Sequence, residues 1–213
     1  MTVAAVVVAG GRGVRFGGFK QFSLLGDRTV AAHSVRAARS VASVVVLVVP
    51  PGHVATGEGA DIVVTGGDTR AASVREGLRA LPPCDVVVVH DAARPLASAH
   101  LFEAVVHAVR NGADGAIPGL RVTDTVKRVE VRSDVTVVVG TVDRRDLVTV
   151  QTPQAFRRAI LESAHATQDD ATDDAALVES LGGTVVVVPG ELDNVKITEP
   201  GDLVRIAATL EDE

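Results

Sequence analysis

Tyrosine and tryptophan are absent from this chain of 213 residues, and phenylalanine occurs only five times. This shortage argues against a site that holds a base or a sugar by stacking on aromatic rings. The single cysteine, Cys84, excludes an intramolecular disulfide framework and a cysteine-based zinc site. One unpaired thiol also fits a reducing compartment, so we expect a cytoplasmic protein.

Long apolar runs are missing as well, since no stretch approaches the roughly 20 residues that are needed to cross a bilayer. Basic residues are in the minority, with 21 Lys and Arg against 27 Asp and Glu and a net charge of −6. A general nucleic-acid binder usually shows the opposite balance. We therefore expect no membrane partner and no nucleic-acid partner.

Small and β-branched side chains make up much of the sequence, which contains 42 valines and 30 alanines. Such a composition suits parallel strands that are buried on both faces. Continuous valine runs such as Val86–Val89 alternate with segments of helical spacing, for example residues 69–81. The alternation predicts a single α/β domain over residues 1–213, Rossmann-like, with three layers and a mostly parallel sheet.

One region, at about residues 123–152, breaks this alternation. Three strand-like pieces, 125–131, 135–139 and 147–152, follow each other there without a helix, and Arg132-Ser133-Asp134 is a plausible turn between the first two. The core of a parallel α/β domain does not need an inserted β-hairpin. We therefore predict a protruding arm that reaches out to a partner or over a site.

A glycine-rich loop follows the first predicted strand and combines five glycines with two cations, Arg15 and Lys20. It is not a P-loop, because Gln21 stands where that motif has Ser or Thr. It is not a dinucleotide fingerprint either, because Phe16 occupies the place of the third glycine. Glycine amides and fixed cations remain, and they suit a triphosphate whose transition state needs its charge neutralised.

The loop resembles the Gly-x-Gly-x-Arg and Lys-Gln signature of sugar- and polyol-phosphate nucleotidylyltransferases. It departs from the signature in having Phe19 in place of the usual proline and a short spacing from Arg15 to Lys20. Four further segments make the whole chain similar to one family, the 2-C-methyl-D-erythritol 4-phosphate cytidylyltransferases. These segments are Gly-Gly-Asp-Thr-Arg-Ala-Ala-Ser-Val at 66–74, His-Asp-Ala-Ala-Arg-Pro at 90–95, Thr-Val-Asp-Arg at 141–144 with Gln-Thr-Pro-Gln at 151–154, and Asp-Asn-Val-Lys-Ile-Thr at 193–198.

The resemblance implies a reaction between CTP and 2-C-methyl-D-erythritol 4-phosphate. The phosphate of the polyol attacks the α-phosphorus of CTP, and pyrophosphate leaves. A phosphate monoester is mostly ionised near pH 7, with a second pKa of about 6, so the attack needs no general base. Catalysis then depends on positioning and charge neutralisation, with Mg²⁺ held mainly by the CTP phosphates.

The resemblance also implies roles for individual residues. Arg15 and Lys20 are the expected catalytic cations, and Asp91 can also help to hold the ribose or the metal. The expected nucleotide-binding residues are Ala9, Gly10, Gly11, Gly13, Gly67, Asp68, Ser73, Asp91, Ala92 and Arg94. The expected substrate-positioning residues are Arg144, Lys196, Thr125, Thr172 and Asp193. In the family the arm crosses to the other subunit, which implies a homodimer whose arm residues complete the neighbouring site.

Several alternatives stay open on the sequence. A ribitol-5-phosphate cytidylyltransferase shares nearly all of these motifs. An NAD(P)-binding dehydrogenase subunit is disfavoured by Phe16 and by the loop cations, and a non-catalytic nucleotide-binding domain is disfavoured by the pair of catalytic cations. Composition alone would make Ser73 an ordinary exposed helix residue, and Asp91 could form a structural ion pair with Arg94.

Overall fold

The computed structural model describes residues 1–53, 57–166, 171 and 173–211. The strands are β1 (Val3–Val8), β2 (Leu24–Leu25), β3 (Arg28–Thr29), β4 (Val44–Val49), β5 (Ile62–Thr65), β6 (Val86–Asp91), β7 (Gly115–Arg121), β8 (Val126–Arg132), β9 (Val135–Val142), β10 (Val148–Val150), β11 (Gln154–Arg157) and β12 (Val185–Pro189). The helices are α1 (Val30–Ala38), α2 (Arg70–Ala80), α3 (Ala99–Arg110), α4 (Arg158–Ala166), α5 (Asp174–Ser180) and α6 (Pro200–Glu211).

The largest sheet of the described residues has eight strands, with the strand order β10-β7-β11-β6-β1-β4-β5 and β12 paired to β7. Strands β6, β1, β4 and β5 run parallel to one another, and β12 runs parallel to β7. Strand β11 is antiparallel to both of its neighbours, and β10 is antiparallel to β7. The predicted α/β fold with a mostly parallel sheet is confirmed.

Valine-rich strands at the centre of the sheet are buried on both faces, as their composition predicts. Alternate residues of β1 point into two different apolar clusters. One cluster contains residues of α1 and α3, and the other contains residues of α2, α4 and α5, which produces three layers. Helix α2 lies especially close to the sheet because Gly77 faces β1, where a Cβ atom would be only 2.4 Å from Cγ1 of Val6.

Strand β11 is a feature that the sequence analysis does not anticipate. Its four residues, Gln154-Ala-Phe-Arg157, are polar at both ends and are too few to show the alternation of a half-buried strand. The strand nevertheless fills the sheet between β6 and β7. It thereby places the Gln-Thr-Pro-Gln segment beside the end of β6, where His90 and Asp91 lie.

The predicted hairpin is present as a separate two-stranded antiparallel sheet made of β8 and β9. Its turn contains Ser133 in a left-handed conformation, with φ of +54°. Several of its valines, including Val131 and Val135, are largely exposed to solvent. Among the described residues, no helix is both long enough and apolar enough to span a membrane.

The end of β6 contains a fully buried histidine, His90. Its Nδ1 lies 3.1 Å from Oγ1 of Thr152, its Nε2 lies 3.1 Å from the carbonyl oxygen of Arg94, and its ring contacts Phe102. Burial lowers the pKa of the His90 imidazole to about 4, against an opposing effect of the Asp91 carboxylate. The imidazole is therefore neutral near pH 7, and His90 is a structural residue of the strand end.

We predict that His90 makes the folded protein sensitive to mild acid. The pKa of His90 is lower in the folded state than in the unfolded state, so protons bind preferentially to the unfolded chain. The folded state therefore keeps its full stability above pH 6.5 and loses stability as the pH falls toward 4. The loss attributable to His90 should be about 3 kcal/mol in the free energy of unfolding. Urea unfolding of the wild type and of His90→Gln at several pH values measures it, and the variant should show the smaller decrease.

The exposed residue His100 at the start of α3 provides the matched control. The decrease should be the same in His100→Gln as in the wild type, because the substitution leaves the buried His90 and its contacts unchanged. Carboxylates contribute equally in all three proteins and cancel in the comparison. Parallel curves for His90→Gln and the wild type would show that His90 is not the group that titrates.

Candidate functional site

A cavity of about 410 Å³ opens at the carboxyl ends of β1, β4, β5 and β6. Strand β1 has β4 on one side and β6 on the other, so the cavity lies where ligands bind in open parallel sheets. Most of the predicted nucleotide-binding and catalytic residues meet there. Those that line the cavity are Ala9, Gly10, Gly11, Gly13, Arg15, Lys20, Gly67, Asp68, Ser73, Asp91 and Ala92, together with Lys196.

The glycine loop after β1 folds back on itself around Gly13. The carbonyl oxygen of Gly13 accepts hydrogen bonds from the amides of Phe16 and Gly17, both at 2.9 Å. Gly13 has φ of +61°, and a Cβ atom on it would lie 1.9 Å from the carbonyl oxygen of Gly18. Only glycine fits this position without rearrangement of the loop.

Gln21, which follows the glycine loop, is hydrogen-bonded to the start of that loop. Its side chain is buried, and Nε2 donates to the carbonyl oxygens of Ala9 at 2.6 Å and Gly11 at 3.0 Å. This role of Gln21 was not predicted from the sequence, where Gln21 served only to exclude a P-loop. The signal was available in the Lys-Gln pair of the signature that the loop resembles.

The side chain of Lys20 connects the loop to the C-terminal part of the chain. Its ammonium group donates a hydrogen bond to the carbonyl oxygen of Ile197. Burial lowers the pKa of Lys20, and the nearby charges of Lys196 and Arg15 lower it further. Three cations are thus held close together, which is an arrangement that favours binding of a polyanion.

Ser73 lies in the first turns of α2 and supports two glycine loops. It is only 3% exposed, and a Cβ atom on Gly66 or on Gly10 would lie 2.6 or 3.0 Å from its Oγ. Its hydroxyl donates weakly to the carbonyl oxygen of Gly67 at 3.3 Å. The interpretation of Ser73 as an exposed helix residue, which composition alone favours, is therefore wrong.

Asp91, at the end of β6, is the centre of the charged network. Its Oδ2 accepts from Nζ of Lys196 at 2.6 Å, and its Oδ1 accepts from Nε of Arg70 at 3.1 Å. Burial raises the pKa of the Asp91 carboxyl, but the charges of Arg70 and Lys196 outweigh burial and hold that pKa below its usual range. The partners of Asp91 are these two cations, so the alternative ion pair with Arg94 is wrong.

The network continues into the core through Arg70. Its Nη1 donates to Oδ2 of Asp174 at 2.8 Å, and Oδ1 of Asp174 lies 2.9 Å from Nε2 of His165. Asp174 and His165 are both buried. The sequence does not predict this role of Arg70, Asp174 and His165, because Arg70 and Asp174 are 104 positions apart in the chain and give no local signal of contact.

The charges on the cavity wall are predominantly positive. Arg12 and Arg70 line it in addition to the predicted cations Arg15, Lys20 and Lys196, whereas Asp68 and Asp91 are its acidic residues. Fixed cations around backbone amides can bind a triphosphate and stabilise charge that develops during its transfer.

A second cavity of about 400 Å³ shares Arg70, Asp91 and Lys196 with the first. Its remaining wall is mostly polar. It consists of Arg94, Gln151, Thr152, Gln154, Asp173 and Glu179, together with the apolar residues Ile117 and Val150. Within the described part of the chain, Nη2 of Arg70, Nε of Arg94 and Oε1 of Gln154 are buried without a hydrogen-bond partner. Such a wall suits a small ligand that has both hydroxyl groups and a negative charge.

The remaining predicted site residues lie elsewhere. Arg94 lines the second cavity and not the first, and its Nη1 donates to the carbonyl oxygen of Asn194 at 2.7 Å. Thr125, Arg144 and Asp193 line neither cavity. Arg144 instead donates to the carbonyl oxygen of Thr123 at the base of the hairpin. Thr172 lies outside the described residues.

Comparison with known proteins gives a consistent result over the whole chain. The profile of the family described as IspD, 2-C-methyl-D-erythritol 4-phosphate cytidylyltransferase, matches residues 3–212. The enzyme of that name from Streptomyces coelicolor is 48% identical, over 97% of this chain and 84% of its own. The one from Streptomyces avermitilis is 45% identical, over 97% and 91%. A crystal structure of the Thermus thermophilus enzyme superposes with a TM-score of 0.84 at 37% identity, covering 99% of this chain and 100% of that one.

We predict that Gly13 and Gly18, two glycines of the same loop, respond differently to alanine. Gly13→Ala places a Cβ atom against the carbonyl oxygen of Gly18 in a left-handed backbone conformation, so the loop must open. Gly18→Ala places its Cβ atom in open space. Titration calorimetry with CTP should show a loss of affinity of about tenfold or more for Gly13→Ala and almost none for Gly18→Ala. Equal losses in the two variants would contradict this account of the loop.

Proposed function

Because this chain belongs to the 2-C-methyl-D-erythritol 4-phosphate cytidylyltransferase family, we propose that it transfers CMP from CTP to 2-C-methyl-D-erythritol 4-phosphate. The products are 4-diphosphocytidyl-2-C-methyl-D-erythritol and pyrophosphate. The observation that supports this function best is the pair of adjacent cavities. One has a glycine loop and cations, the other is polar, and the wall between them contains Asp91 and Lys196.

CTP would occupy the first cavity with its triphosphate at the glycine loop. The amides of Gly10, Gly11 and Gly13 would approach the phosphate oxygens, and Arg15 and Lys20 would neutralise charge at the α-phosphate. The cytosine would lie toward the second glycine-rich segment, at Gly67 and Asp68, against which Ser73 packs. This orientation is supported by the packing of Ser73 against both loops.

The polyol phosphate would occupy the second cavity, where Arg94 and Lys196 supply positive charge. An oxygen of its phosphate attacks the α-phosphorus of CTP, the bond from that phosphorus to the bridging oxygen of the β-phosphate breaks, and pyrophosphate leaves with the electron pair. The attacking phosphate is already ionised near pH 7, so no residue has to remove a proton. The chain contributes alignment of the two phosphates and stabilisation of the transition-state charge.

Mg²⁺ would bind in this site together with CTP. Among the described residues, no group of three or more His, Cys, Asp or Glu side chains could hold a metal ion by itself. Asp68 and Asp91 are the carboxylates of the cavity wall, and both oxygens of Asp91 are already bonded to cations. Mg²⁺ would therefore be held mainly by phosphate oxygens, with Asp91 nearby, and would supply further neutralisation of their charge.

We also infer a homodimer in which each hairpin completes the site of its partner. Thr125 and Arg144 line neither cavity of their own chain, although the resemblance assigns both to the substrate. The hairpin that they flank lies outside the main sheet and exposes apolar side chains such as Val131 and Val135. A cytoplasmic location is the companion inference, and it is supported by the free thiol of Cys84.

The proposed activity predicts pyrophosphate release that requires CTP, Mg²⁺ and 2-C-methyl-D-erythritol 4-phosphate together. The assay should compare the four ribonucleoside triphosphates, and for the acceptor it should include ribitol 5-phosphate. We expect CTP and methylerythritol phosphate to give the highest kcat/KM. If ribitol 5-phosphate is turned over faster, the protein is still a cytidylyltransferase but its acceptor is a different polyol phosphate. If CTP binds and no pyrophosphate is released, the protein is not an enzyme of this class.

The shared-site model predicts that two inactive variants restore each other. In a dimer of Lys20→Ala with Arg144→Ala, one site would contain both lesions and the other would contain neither. Random re-pairing of equal amounts makes about half of the dimers mixed, so about a quarter of all sites should be intact. Pyrophosphate release per site, measured after co-expression of the two variants, should rise to about that fraction of the wild-type value.

The control is a mixture of the two variants that were folded and purified separately and not allowed to re-pair. Its activity should equal the average of the two parents. If verified heterodimers also show only that average, each hairpin serves its own chain and the shared-site model is wrong. The assignment of the cytidylyltransferase reaction does not depend on this outcome.

A further inference from the structure

Three aromatic rings gather beside Lys20 in a chain that has few of them. Phe19 and Phe22 are two of its five phenylalanines, and they flank the Lys20-Gln21 pair. The imidazole of His53 contacts both phenyl rings, with ring centroids 4.5 Å from Phe19 and 5.1 Å from Phe22. The rings of His53 and Phe22 are nearly parallel, with an interplanar angle of 5°. We call these three residues the aromatic bracket.

The aromatic bracket connects two loops that both contribute residues to the wall of the nucleotide cavity. Phe19 and Phe22 belong to the segment that contains Lys20. His53 belongs to the loop after β4, whose residues Pro50 and Pro51 line the same cavity. Contacts between these rings therefore join two segments of the cavity wall that are separated in the chain.

The backbone at Phe19 shows why a ring contact is useful there. Phe19 has φ of −78° and ψ of +76°, and the amide of Lys20 donates to the carbonyl oxygen of Gly18 at 2.9 Å. These values describe an inverse γ-turn. A single three-residue turn between a glycine and Lys20 is weak by itself. Phe19 as a whole residue is 41% exposed, so burial does not hold it firmly.

We propose that the aromatic bracket is a positioning device for Lys20. By holding the ring of Phe19, His53 and Phe22 keep the inverse γ-turn closed and so keep the Lys20 ammonium at the Ile197 carbonyl, on the wall of the nucleotide cavity. This inference rests on the proposed function, in which Lys20 stabilises the α-phosphate. Phe19 and His53 are positioning residues, because they act through Lys20.

Proline at position 19 should restrain this turn by itself, so that the contacts of the aromatic bracket are no longer needed. The pyrrolidine ring fixes φ near −65°, close to the angle that Phe19 adopts, so it would restrain the turn without a side-chain contact. Proline is also the residue that the resembled signature has before its lysine. With proline at position 19, the closure of the turn would no longer depend on His53.

The test is a double-mutant cycle between positions 19 and 53. Phe19→Leu and His53→Leu should each lower kcat by about three- to tenfold, which corresponds to the loss of an aromatic contact. KM for CTP should change by less than about twofold, because Lys20 acts mainly in the transition state. Phe19→Pro should retain kcat, and adding His53→Leu to Phe19→Pro should cost less than about twofold.

Leu24→Ala is the matched control, since Leu24 is an exposed apolar residue just beyond Phe22 and has no part in the site. Its kcat should equal that of the wild type, and thermal unfolding should show that every variant is folded. The proposal would be overturned if His53→Leu lowered kcat by the same factor in the wild type and in the Phe19→Pro variant. Wild-type kcat in both Phe19→Leu and His53→Leu would overturn it as well.

A fluorescence measurement tests the contact independently of turnover. Because the chain has no tryptophan and no tyrosine, Phe19→Trp introduces a unique indole beside His53. Its emission should rise when His53→Leu is added, because the quenching imidazole beside the indole is removed. If adding His53→Leu left the emission unchanged, the two rings would not be in contact and the proposal would be overturned. Absence of cytidylyl transfer in the wild type would instead contradict the proposed function and leave this measurement valid.

Discussion

The carboxylate of Asp91 is held between the guanidinium of Arg70 and the ammonium of Lys196, and the rest of the site depends on this interaction. A buried carboxylate without partners would be strongly unfavourable, so the end of β6 can be charged only because these cations come to it. Arg70 comes from the start of α2, and Lys196 comes from the loop before α6. The interaction therefore brings three distant parts of the chain to the carboxyl end of one central strand.

A second set of contacts holds the glycine loop in place. Gln21 is hydrogen-bonded to the start of the loop, Ser73 packs against Gly10, and Lys20 donates a hydrogen bond to the carbonyl oxygen of Ile197. The loop that contains Ile197 also contains Lys196, so the N-terminal glycine loop and the Asp91 network share one C-terminal segment. Positive charge converges at the cavity because the Asp91 carboxylate holds Arg70 and Lys196 there and the carbonyl oxygen of Ile197 holds Lys20.

The sequence predicts the parts of this molecule that follow from local chemistry. Valine runs identify β1, β4 and β6 because burial on both faces requires apolar residues at every position, and glycines with cations identify the loop after β1. Strand β11 is not predictable in this way, since its four residues match no period and its position is set by pairing with β6 and β7. The Arg70–Asp174–His165 contacts, likewise, exist only because the sheet brings α2, α4 and α5 together. The resemblance identifies motif residues, but it does not identify His165, which lies outside the quoted motifs.

The wall between the two cavities has a thermodynamic consequence. Lys196 and Arg70 line both cavities, and both are bonded to the same carboxylate. An anion that enters either cavity competes with Asp91 for these cations and thereby changes the electrostatic potential in the other cavity. Occupancy of the two cavities is thus linked, and linkage is reciprocal: whatever factor the first ligand applies to the affinity of the second, the second applies to the first.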